Sequence, residues 1–239
     1  MDRLRVLLPA VAGVLIIMAG TVLPAEGALP LKRKRCGATV TSSFRLKNNL
    51  TRTGDGLKVG KNRITIHLNG KTIRGDGDAD DFGIDNSAGF GKVVIKNGTL
   101  RRFDDGVKIG ASFSNTVRNV TVRNSSFDGI DVDGGRGHQI IDNDTSASGE
   151  NGIEFKGRNS TLRGNVATAN AVDGLFVGAV EDVDVVGNRA DHNLDVGIRV
   201  EGNDSTVRDN TACGNDDAQV VVVGAGNVVE DNVTQDLCP

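Results

Sequence analysis

The sequence lacks tryptophan and tyrosine, and its 239 residues include only 8 phenylalanines and 4 prolines. Globular cores draw much of their volume from large aromatic side chains. The apolar residues here are mostly Val, Ile and Leu in short runs, which favour strands. No window shows the sustained 3.6-residue apolar period of an amphipathic helix. The composition therefore predicts an all-β protein.

Positive charge is concentrated near the amino terminus. The formal net charge is −3, yet Lys32, Arg33, Lys34 and Arg35 follow one another directly. Such a run is typical of a solvated tail, although it could also contact an anionic wall polymer or a lipid surface. The remaining chain is acidic and poor in aromatic residues, which argues against nucleic acid as a partner.

The first residues have the pattern of a secretory signal peptide. Arg3 and Arg5 precede an apolar run over residues 6–19, and the small residues Ala25 and Gly27 precede a plausible cleavage site. The run is shorter than the ~20 residues that a membrane-spanning helix needs. We therefore predict a signal peptide over residues 1–27, with a retained anchor as the alternative. The mature chain would be secreted or held in the cell envelope, with no transmembrane segment.

A repeat with a period of about 22–23 residues dominates the rest of the sequence. A glycine followed by an aliphatic residue recurs at Gly56, Gly83, Gly106, Gly129, Gly152, Gly174 and Gly197. The steps between these glycines are 27, 23, 23, 23, 22 and 23, and Gln219-Val220 is a degenerate eighth copy. Apolar and charged residues alternate after each glycine, which predicts short strands with one apolar face. Only stacking of successive copies can bury that face.

Asparagines recur in register with the glycines. If each glycine, or Gln219, is position i, one set lies at i+13 or i+14: Asn69, Asn97, Asn119, Asn143, Asn165, Asn188, Asn210 and Asn232. A second set stands five residues later, at Asn124, Asn170, Asn193 and Asn215. Asn tolerates tight corners, and amides stacked ~4.8 Å apart can bond to one another as an asparagine ladder. We therefore expect Asn119, Asn165 and Asn210 to share one line.

These periods predict a right-handed parallel β-helix of about eight coils over residues 54–239. Residues 28–53 are predicted to form a basic tail and an N-terminal cap. Cys213 and Cys238 are separated by little more than one repeat, so we expect a disulfide between adjacent coils that pins the tail over the last strand. Five of the phenylalanines are expected mostly to fill the core: Phe82, Phe103, Phe127, Phe155 and Phe176.

Three segments near the amino terminus resemble the signature of secreted bacterial right-handed β-helix repeat proteins of the pectate-lyase-like superfamily. They are Cys36-Gly37-Ala38-Thr39-Val40, residues 54–60 (GDGLKVG) and residues 64–73 (ITIHLNGKTI). The resemblance implies the fold, but the superfamily includes lyases, hydrolases, epimerases and proteins without demonstrated activity. Relatives tend to carry a second cysteine where this chain has Thr51-Arg52-Thr53, so the partner of Cys36 stays open.

Equal positions on successive coils would form columns, and two columns carry charge. The outward position of the first strand gives Lys58, Asp85, Lys108, Asp131, Glu154, Phe176 and Arg199. The position before each glycine gives Asp55, Phe82, Asp105, Asp128, Asn151 and Asp173. Acidic residues are densest in the middle coils. The candidate catalytic residues are Asp105, Asp128, Asp131 and Glu154, and the candidate substrate-binding residues are Lys108, Asp133, Lys156 and Arg199.

Carboxylates one coil apart would lie ~5 Å from each other, near the separation found in retaining glycosidases. If Asp105 lies above Asp128, one of the two should keep its proton and could act as a general acid. The cluster could instead hold Ca²⁺ through its oxygens. A weaker Ca²⁺ candidate is the acidic turn with Asp76, Asp78 and Asp80. The same columns could also be a solvated ladder of alternating charges.

Two functions follow from these patterns. The first is a secreted protein that binds or processes an extracellular, acidic polysaccharide, as a lyase, hydrolase or epimerase if it is an enzyme. The alternative is a non-catalytic surface or scaffold module. Enzymes with this fold usually carry long loop insertions that wall a cleft, whereas these coils are almost free of insertions, which favours the alternative.

Overall fold

Neighbouring strands lie one coil apart and pair in parallel, so the chain winds as a parallel β-helix. The structure is a computed structural model and describes residues 29–51, 53–77 and 80–238. The predicted signal peptide over residues 1–27 lies outside the described residues. The described chain forms 27 strands and no α-helix. Each coil passes through three sheets, which we name A, B and C in chain order.

The three sheets share some of their longer strands. Sheet A contains Ala38–Val40, Leu57–Val59, Ile84–Asn86, Val107–Ile109, Ile130–Val132, Ile153–Phe155, Leu175–Val186, Ile198–Asn203 and Val220–Val223. Sheet B contains Leu31–Lys32, Phe44–Leu46, Thr65–His67, Val94–Arg101, Thr116–Arg123, Gln139–Ile141, Arg158–Arg163, the end of Leu175–Val186, Thr206–Arg208 and Val228–Glu230. Sheet C contains Leu50–Thr51, Thr72–Arg74, the ends of Val94–Arg101 and Thr116–Arg123, Asp144–Ser146, Val166–Thr168, Arg189–Asp191, Thr211–Cys213 and Val233–Gln235. Between sheets A and B, Ser112–Phe113 pairs with Gly135–Arg136.

The predicted fold class is confirmed, with about nine turns rather than eight. The additional coil lies within the segment 28–53 that the sequence assigned to a tail and cap. There Ala38–Val40 pairs with Leu57–Val59, and Phe44 pairs with Ile66 in sheet B. Its repeat signature is incomplete, since Gly37 precedes Ala38 but the step from Gly37 to Gly56 is shorter than any step between the later glycines.

The recurring glycines are required because successive coils approach closely at that position. A Cβ atom on Gly129 would lie 2.4 Å from the carbonyl oxygen of Gly152, and one on Gly174 would lie 2.5 Å from that of Gly197. Any side chain would therefore push the coils apart. Gln219 is tolerated at the same position because it lies in the last coil of the described chain.

The interior is filled by aliphatic side chains from all three sheets. Ile130, Val132, Ile153 and Phe155 are fully buried, as the alternation in sheet A predicts. Three of the five phenylalanines expected in the core do not lie there. Phe127 is 46% exposed, Phe82 is half-buried outside the core cluster, and Phe176 lies in the outward column of sheet A.

Five asparagines stack inside the corner between sheets B and C, at Asn143, Asn165, Asn188, Asn210 and Asn232. Asn188 is typical of the stack. Its Oδ1 accepts hydrogen bonds from Asn165 N at 2.9 Å and Nδ2 at 3.0 Å, and its own Nδ2 donates to the Leu162 carbonyl at 2.9 Å. Each amide therefore supplies hydrogen-bond partners to backbone groups at a corner, where strand pairing does not satisfy them.

Of the eight asparagines at i+13 or i+14 of the repeat, the first three do not join the stack. Asn69, Asn97 and Asn119 have φ values of 57°, 61° and 51° and stand one residue earlier, at the left-handed corner position. Val120 occupies the stack position in that coil, and its N–H donates to Asn143 Oδ1 at 3.1 Å. The expectation that Asn119 shares a line with Asn165 and Asn210 was therefore wrong by one residue. Asn tolerates both positions, so spacing alone could not separate them.

A second stack lies at the corner between sheets C and A. Asn170 donates to Asn193 Oδ1 at 2.9 Å, Asn193 donates to Asn215 Oδ1 at 2.9 Å, and Asn215 ends the stack on Gln219. Asn124 does not join this second stack, because it stands one residue before the stack position of its coil, with a φ of 57°.

The carboxyl-terminal tail is tied to the coil before the last. Cys213 and Cys238 form a disulfide with a Cα–Cα distance of 5.1 Å, and Cys213 pairs with Gln235 of the last coil. The tail therefore runs back along a corner, and the last coil keeps exposed valines such as Val229 and Val233. Cys36 is half-buried against the core. Among the described residues, no helix has the length and apolar character needed to cross a bilayer.

We expect Asn188→Ala to lower the free energy of unfolding by about 2–3 kcal/mol, because it leaves buried backbone groups of Asn165 and Leu162 without partners. Asn119→Gly is the matched control, since Gly164 and Gly187 already hold that corner position in other coils. It should change stability by less than about 0.5 kcal/mol. Urea unfolding followed by circular dichroism measures both, and equal losses for the two variants would contradict the assignment of the stack.

Candidate functional site

The outward column of sheet A is continuous, as the sequence indicated. Lys108 pairs with Asp131, Asp131 with Glu154, and Glu154 with Phe176 in successive coils. The column continues to Arg199. These side chains share one face because the strands stack without a register shift through these coils.

The side chains of the column before the glycines join successive coils by hydrogen bonds. Asp105 Oδ1 accepts a hydrogen bond from Asp128 N at 3.0 Å, and Asp128 Oδ1 accepts one from Asn151 N at 2.8 Å. Asp173 Oδ1 accepts one from Val196 N at 2.9 Å. One oxygen of each side chain therefore joins its coil to the next. This leaves the second carboxylate oxygen to find a partner elsewhere.

That second oxygen meets a cation at three coils. Asp55 pairs with Lys58 at 2.5 Å, Asp105 with Lys108 at 3.7 Å, and Asp173 with Arg199 at 2.7 Å. Asp128 differs, because the residue three positions later is the acidic Asp131. Its side chain instead makes a hydrogen bond with Glu154 of the next coil. We call this contact the acid pair.

A proton is held within the acid pair. Burial, the hydrogen bond to Glu154 and the charge of Asp105 together raise the pKa of Asp128 to about 9. At neutral pH the two side chains therefore keep one proton between them, which links Asp128 to Glu154. Burial and the charge of Asp131 raise the pKa of Asp105 to about 7. The sequence analysis expected one of Asp105 and Asp128 to keep its proton, and the raised pKa of Asp128 agrees with that, with Glu154 as its hydrogen-bond partner.

Two lysines border the acid pair. Lys108 contacts Asp131, and its Nζ lies 3.0 Å from Asp133 and 3.7 Å from Asp105. Burial lowers the pKa of Lys108, but the hydrogen bonds to Asp131 and Asp133 outweigh it and leave that pKa raised. Lys156 pairs with Glu154 on the other side. The structure thus brings together seven of the eight predicted catalytic and substrate-binding residues.

Arg199 lies apart from that group. Its guanidinium binds Asp173 at 2.7 Å and Asp195 at 3.1 Å, two coils beyond Glu154. The predicted substrate-binding role of Arg199 therefore finds no support in its position. Phe176 lies between Arg199 and Glu154, and its ring covers Gly178, where an added Cβ would come within 2.6 Å of Cζ. A half-buried aromatic ring thus lies beside the acid pair.

Two residues near the site were not among the sequence candidates. Glu150 brings a carboxylate oxygen within 4.8 Å of those of Asp128 and Glu154. It stands one residue before Asn151 of the column before the glycines, and its N–H donates to the Phe127 carbonyl of the neighbouring coil at 3.0 Å. That position in the repeat was the signal for it in the sequence. The second residue is Phe176, which the alternation of sheet A already placed outward.

The carboxylates could hold a divalent cation in two places that share Asp128. Asp105, Asp128 and Asp131 have oxygens within 4.8 Å of one another, and Asp128, Glu150 and Glu154 form the second group. Asp131 is 5% exposed, and its Oδ1 has no hydrogen-bond partner within the described chain. Ca²⁺ needs six to eight oxygens, so a substrate or water would have to complete either group.

The acidic turn before the third coil stays a separate prediction. Asp80 N donates to Asp104 Oδ2 at 2.5 Å, and the Asp76 carbonyl accepts a hydrogen bond from Arg102 at 2.6 Å. Asp78 lies outside the described residues. The backbone contacts of Asp76 and Asp80 hold the turn against the next coil.

Residues 82–234 match the family model described as right handed beta helix region. Among solved structures, the chain is similar to the periplasmic alginate epimerase AlgG, with 13% identity and a TM-score of 0.40, over 82% of this chain and 76% of that one. It is also similar to the surface protein and adhesin PfbA of Streptococcus pneumoniae, with 11% identity and a TM-score of 0.29, over 85% and 88%. Neither likeness bears on activity. No curated protein sequence matches the chain.

We expect Asp128→Asn to stabilise the protein relative to wild type, by an amount that increases as the pH rises. In the unfolded chain Asp128 ionises near pH ~4, whereas in the folded chain its pKa is raised to about 9. Between these values the native state binds more protons, so the free energy of unfolding falls with rising pH. Asn keeps both hydrogen bonds without this penalty, and the gain over wild type should grow by at least about 1 kcal/mol from pH 5 to pH 8.

The control for this variant is Asp173→Asn in the same column. It removes the charge that binds Arg199 and should cost about 1–3 kcal/mol. Urea unfolding at both pH values measures the two effects. A loss of stability in Asp128→Asn at pH 8, similar to that in Asp173→Asn, would contradict the protonated acid pair.

Proposed function

This chain belongs to the right-handed β-helix family, and we propose that it binds an extracellular acidic polysaccharide along sheet A, with the acid pair Asp128–Glu154 as its proton-transfer group. Export would follow from the predicted signal peptide over residues 1–27. Lys108 and Lys156 would bind the carboxylates of the polymer, and Phe176 would pack against a sugar ring.

The observation that carries this proposal is that no lysine or arginine among the described residues pairs with Asp128. A column built only for solubility and cross-coil pairing would place a base beside each acid, as Lys58, Lys108 and Arg199 do. Burying two carboxyl groups against each other raises the free energy of the folded state. Groups with pKa values shifted in this way cluster at functional sites.

The geometry of the pair favours proton transfer over glycoside hydrolysis. Hydrolases of both stereochemical classes separate their carboxyl groups by about 5–9.5 Å to leave room for the sugar or a water. A hydrogen bond joins Asp128 directly to Glu154, which leaves no sugar or water between the two carboxyl groups. A protonated acid beside a carboxylate can donate one proton and accept another. That is the chemistry of a uronate epimerase or lyase.

The surroundings suit a negatively charged sugar polymer. Lys156 is 44% exposed in its side chain, so a ligand can reach it although its ammonium group pairs with Glu154. Lys108 is more enclosed, with 19% of its side chain exposed. The carboxylates around Asp128 would repel a uronate, and a Ca²⁺ ion bound by one of the two carboxylate groups would offset that repulsion. Binding should therefore increase when Ca²⁺ is added.

The regularity of the coils favours a second function, that of a non-catalytic surface module. Between residues 84 and 223, all described, successive strands of sheet A begin at almost constant intervals along the chain. No inserted loop in that range walls a cleft above Asp128. In this second function sheet A binds a polymer without changing it, or serves only to keep the rod soluble.

We expect product from polyuronates such as polygalacturonate or alginate, measured by ultraviolet absorbance of unsaturated ends and by NMR of epimerised residues, with and without Ca²⁺. Asp128→Asn and Glu154→Gln should each lower the rate at least 100-fold, because each removes one half of the proton transfer. Asp144→Asn is the control, since this exposed residue pairs with Arg123 on sheet C. Binding without product supports the surface module, and absence of both excludes the proposed polysaccharide function.

We expect Phe176→Leu to weaken polysaccharide binding about three- to tenfold, because the flat face beside the acid pair is lost. The matched control is Phe113→Leu, since the ring of Phe113 also covers a glycine, Gly91, but lies between sheets A and B. Titration calorimetry measures both affinities. Equal affinities of the two variants would remove Phe176 from the site.

A further inference from the structure

Four metal-ligating side chains converge where the carboxyl-terminal tail meets the last turns of sheet C. They are Asp191, His192, Cys213 and Cys238. Asp191 and Cys213 are each 2% exposed. His192 stands at the left-handed corner position with a φ of 55°, where other coils place Asn124, Ala147, Ala169 and Gly214. This corner follows sheet C and belongs to later coils than the acid pair.

The ligating atoms lie close together. Cys213 Sγ is 3.1 Å from Asp191 Oδ1, and Cys238 Sγ is 3.8 Å from His192 Nδ1. Gly214 leaves room for this arrangement, because an added Cβ would lie 3.3 Å from Cys238 Sγ and 3.4 Å from His192 Nε2. A side chain at position 214 would therefore fill the space between the histidine and the sulfur.

The disulfide does not account for the position of Asp191. A disulfide sulfur carries no proton, so Cys213 Sγ cannot donate to Asp191 Oδ1 in the oxidised chain. Arg189 binds the other carboxylate oxygen, which leaves Oδ1 directed at the sulfur. A thiol at Cys213 would donate to this oxygen, and a cation would be bound by both atoms.

We propose that the reduced chain binds one Zn²⁺ through the two cysteine sulfurs, His192 Nδ1 and Asp191 Oδ1. Two sulfurs, one imidazole and one carboxylate make a four-coordinate set of the donors that zinc prefers. Zn–S bonds of ~2.3 Å and Zn–N or Zn–O bonds of ~2.0–2.1 Å place tetrahedral ligands about 3.3–3.8 Å apart. The two distances given above are already near that range. The donors that all lie within 4.8 Å of one another are those of Asp191, Cys213 and Cys238, so the sulfurs must separate and the His192 ring must move toward them.

The reaction is balanced by a dithiol reductant. Two electrons and two protons from the dithiol convert the Cys213–Cys238 disulfide to two thiols, and the dithiol becomes a disulfide. Binding of Zn²⁺ then releases both thiol protons. The tail is thereby held to the penultimate coil in both states, by a covalent bond or by the metal. This proposal is independent of the polysaccharide site on sheet A.

The test uses the full chain, reduced under anaerobic conditions and freed of reductant, and titrated with Zn²⁺ alone. We expect one Zn²⁺ per reduced chain and none per oxidised chain. Titration with Co²⁺ should give the thiolate-to-cobalt charge-transfer absorption that sulfur ligation produces. Far-ultraviolet circular dichroism checks that the reduced chain stays folded.

Variants separate a built site from metal capture by loose thiols. Asp191→Asn and His192→Ala keep both cysteines and should each weaken Zn²⁺ binding at least tenfold, whereas Cys238→Ser should abolish it. His67→Ala is the control, because His67 lies in sheet B beside Asn69 and should leave affinity unchanged. The proposal fails if the reduced chain binds no zinc, or if Asp191→Asn and His192→Ala bind it as tightly as wild type.

Discussion

The structure depends on the stacking of backbone hydrogen bonds between coils, which sets one spacing for everything attached to the chain. Because each strand pairs in parallel with the strand one coil away, any position recurs directly above itself at ~4.8 Å. Coils cannot tilt or spread to accommodate a side chain in the way that helices can. The glycine at Gly129 and its equivalents follows from this constraint, because the neighbouring carbonyl oxygen occupies the place of a Cβ.

The same spacing makes each column of stacked side chains either stabilising or destabilising, depending on the residue type. Amides such as Asn165 and Asn188 gain from it, since each side chain is both donor and acceptor and can bond upward and downward. An ionised carboxylate can accept hydrogen bonds but cannot donate one. A stacked acid therefore needs a cation, a backbone N–H or a proton of its own. Asp173 uses the first two, with Arg199 and Val196. Asp128 uses the backbone and the proton.

Periodicity in the sequence predicted the fold because the constraint acts on every coil, so a weak signal is repeated many times. It could not resolve differences of one residue. Asn119 and Asn165 look equivalent by spacing, yet one takes the left-handed corner and the other the interior stack. The candidate site was found as a group for the same reason, from its columns. That Asp128 takes Glu154 as its hydrogen-bond partner depends on side-chain rotamers, which periodicity does not encode.

Asn151 shows that the column before the glycines does not require an acid. It accepts a hydrogen bond from Asp173 N at 3.1 Å, as the aspartates accept theirs, and carries no charge. An amide at position 128 would satisfy the same backbone group and face Glu154 without repulsion. A buried acid at position 128 is therefore not explained by the stacking that explains the rest of the column. Its remaining distinction is a proton that can leave, and this is why we propose that Asp128 and Glu154 carry the chemistry of the face.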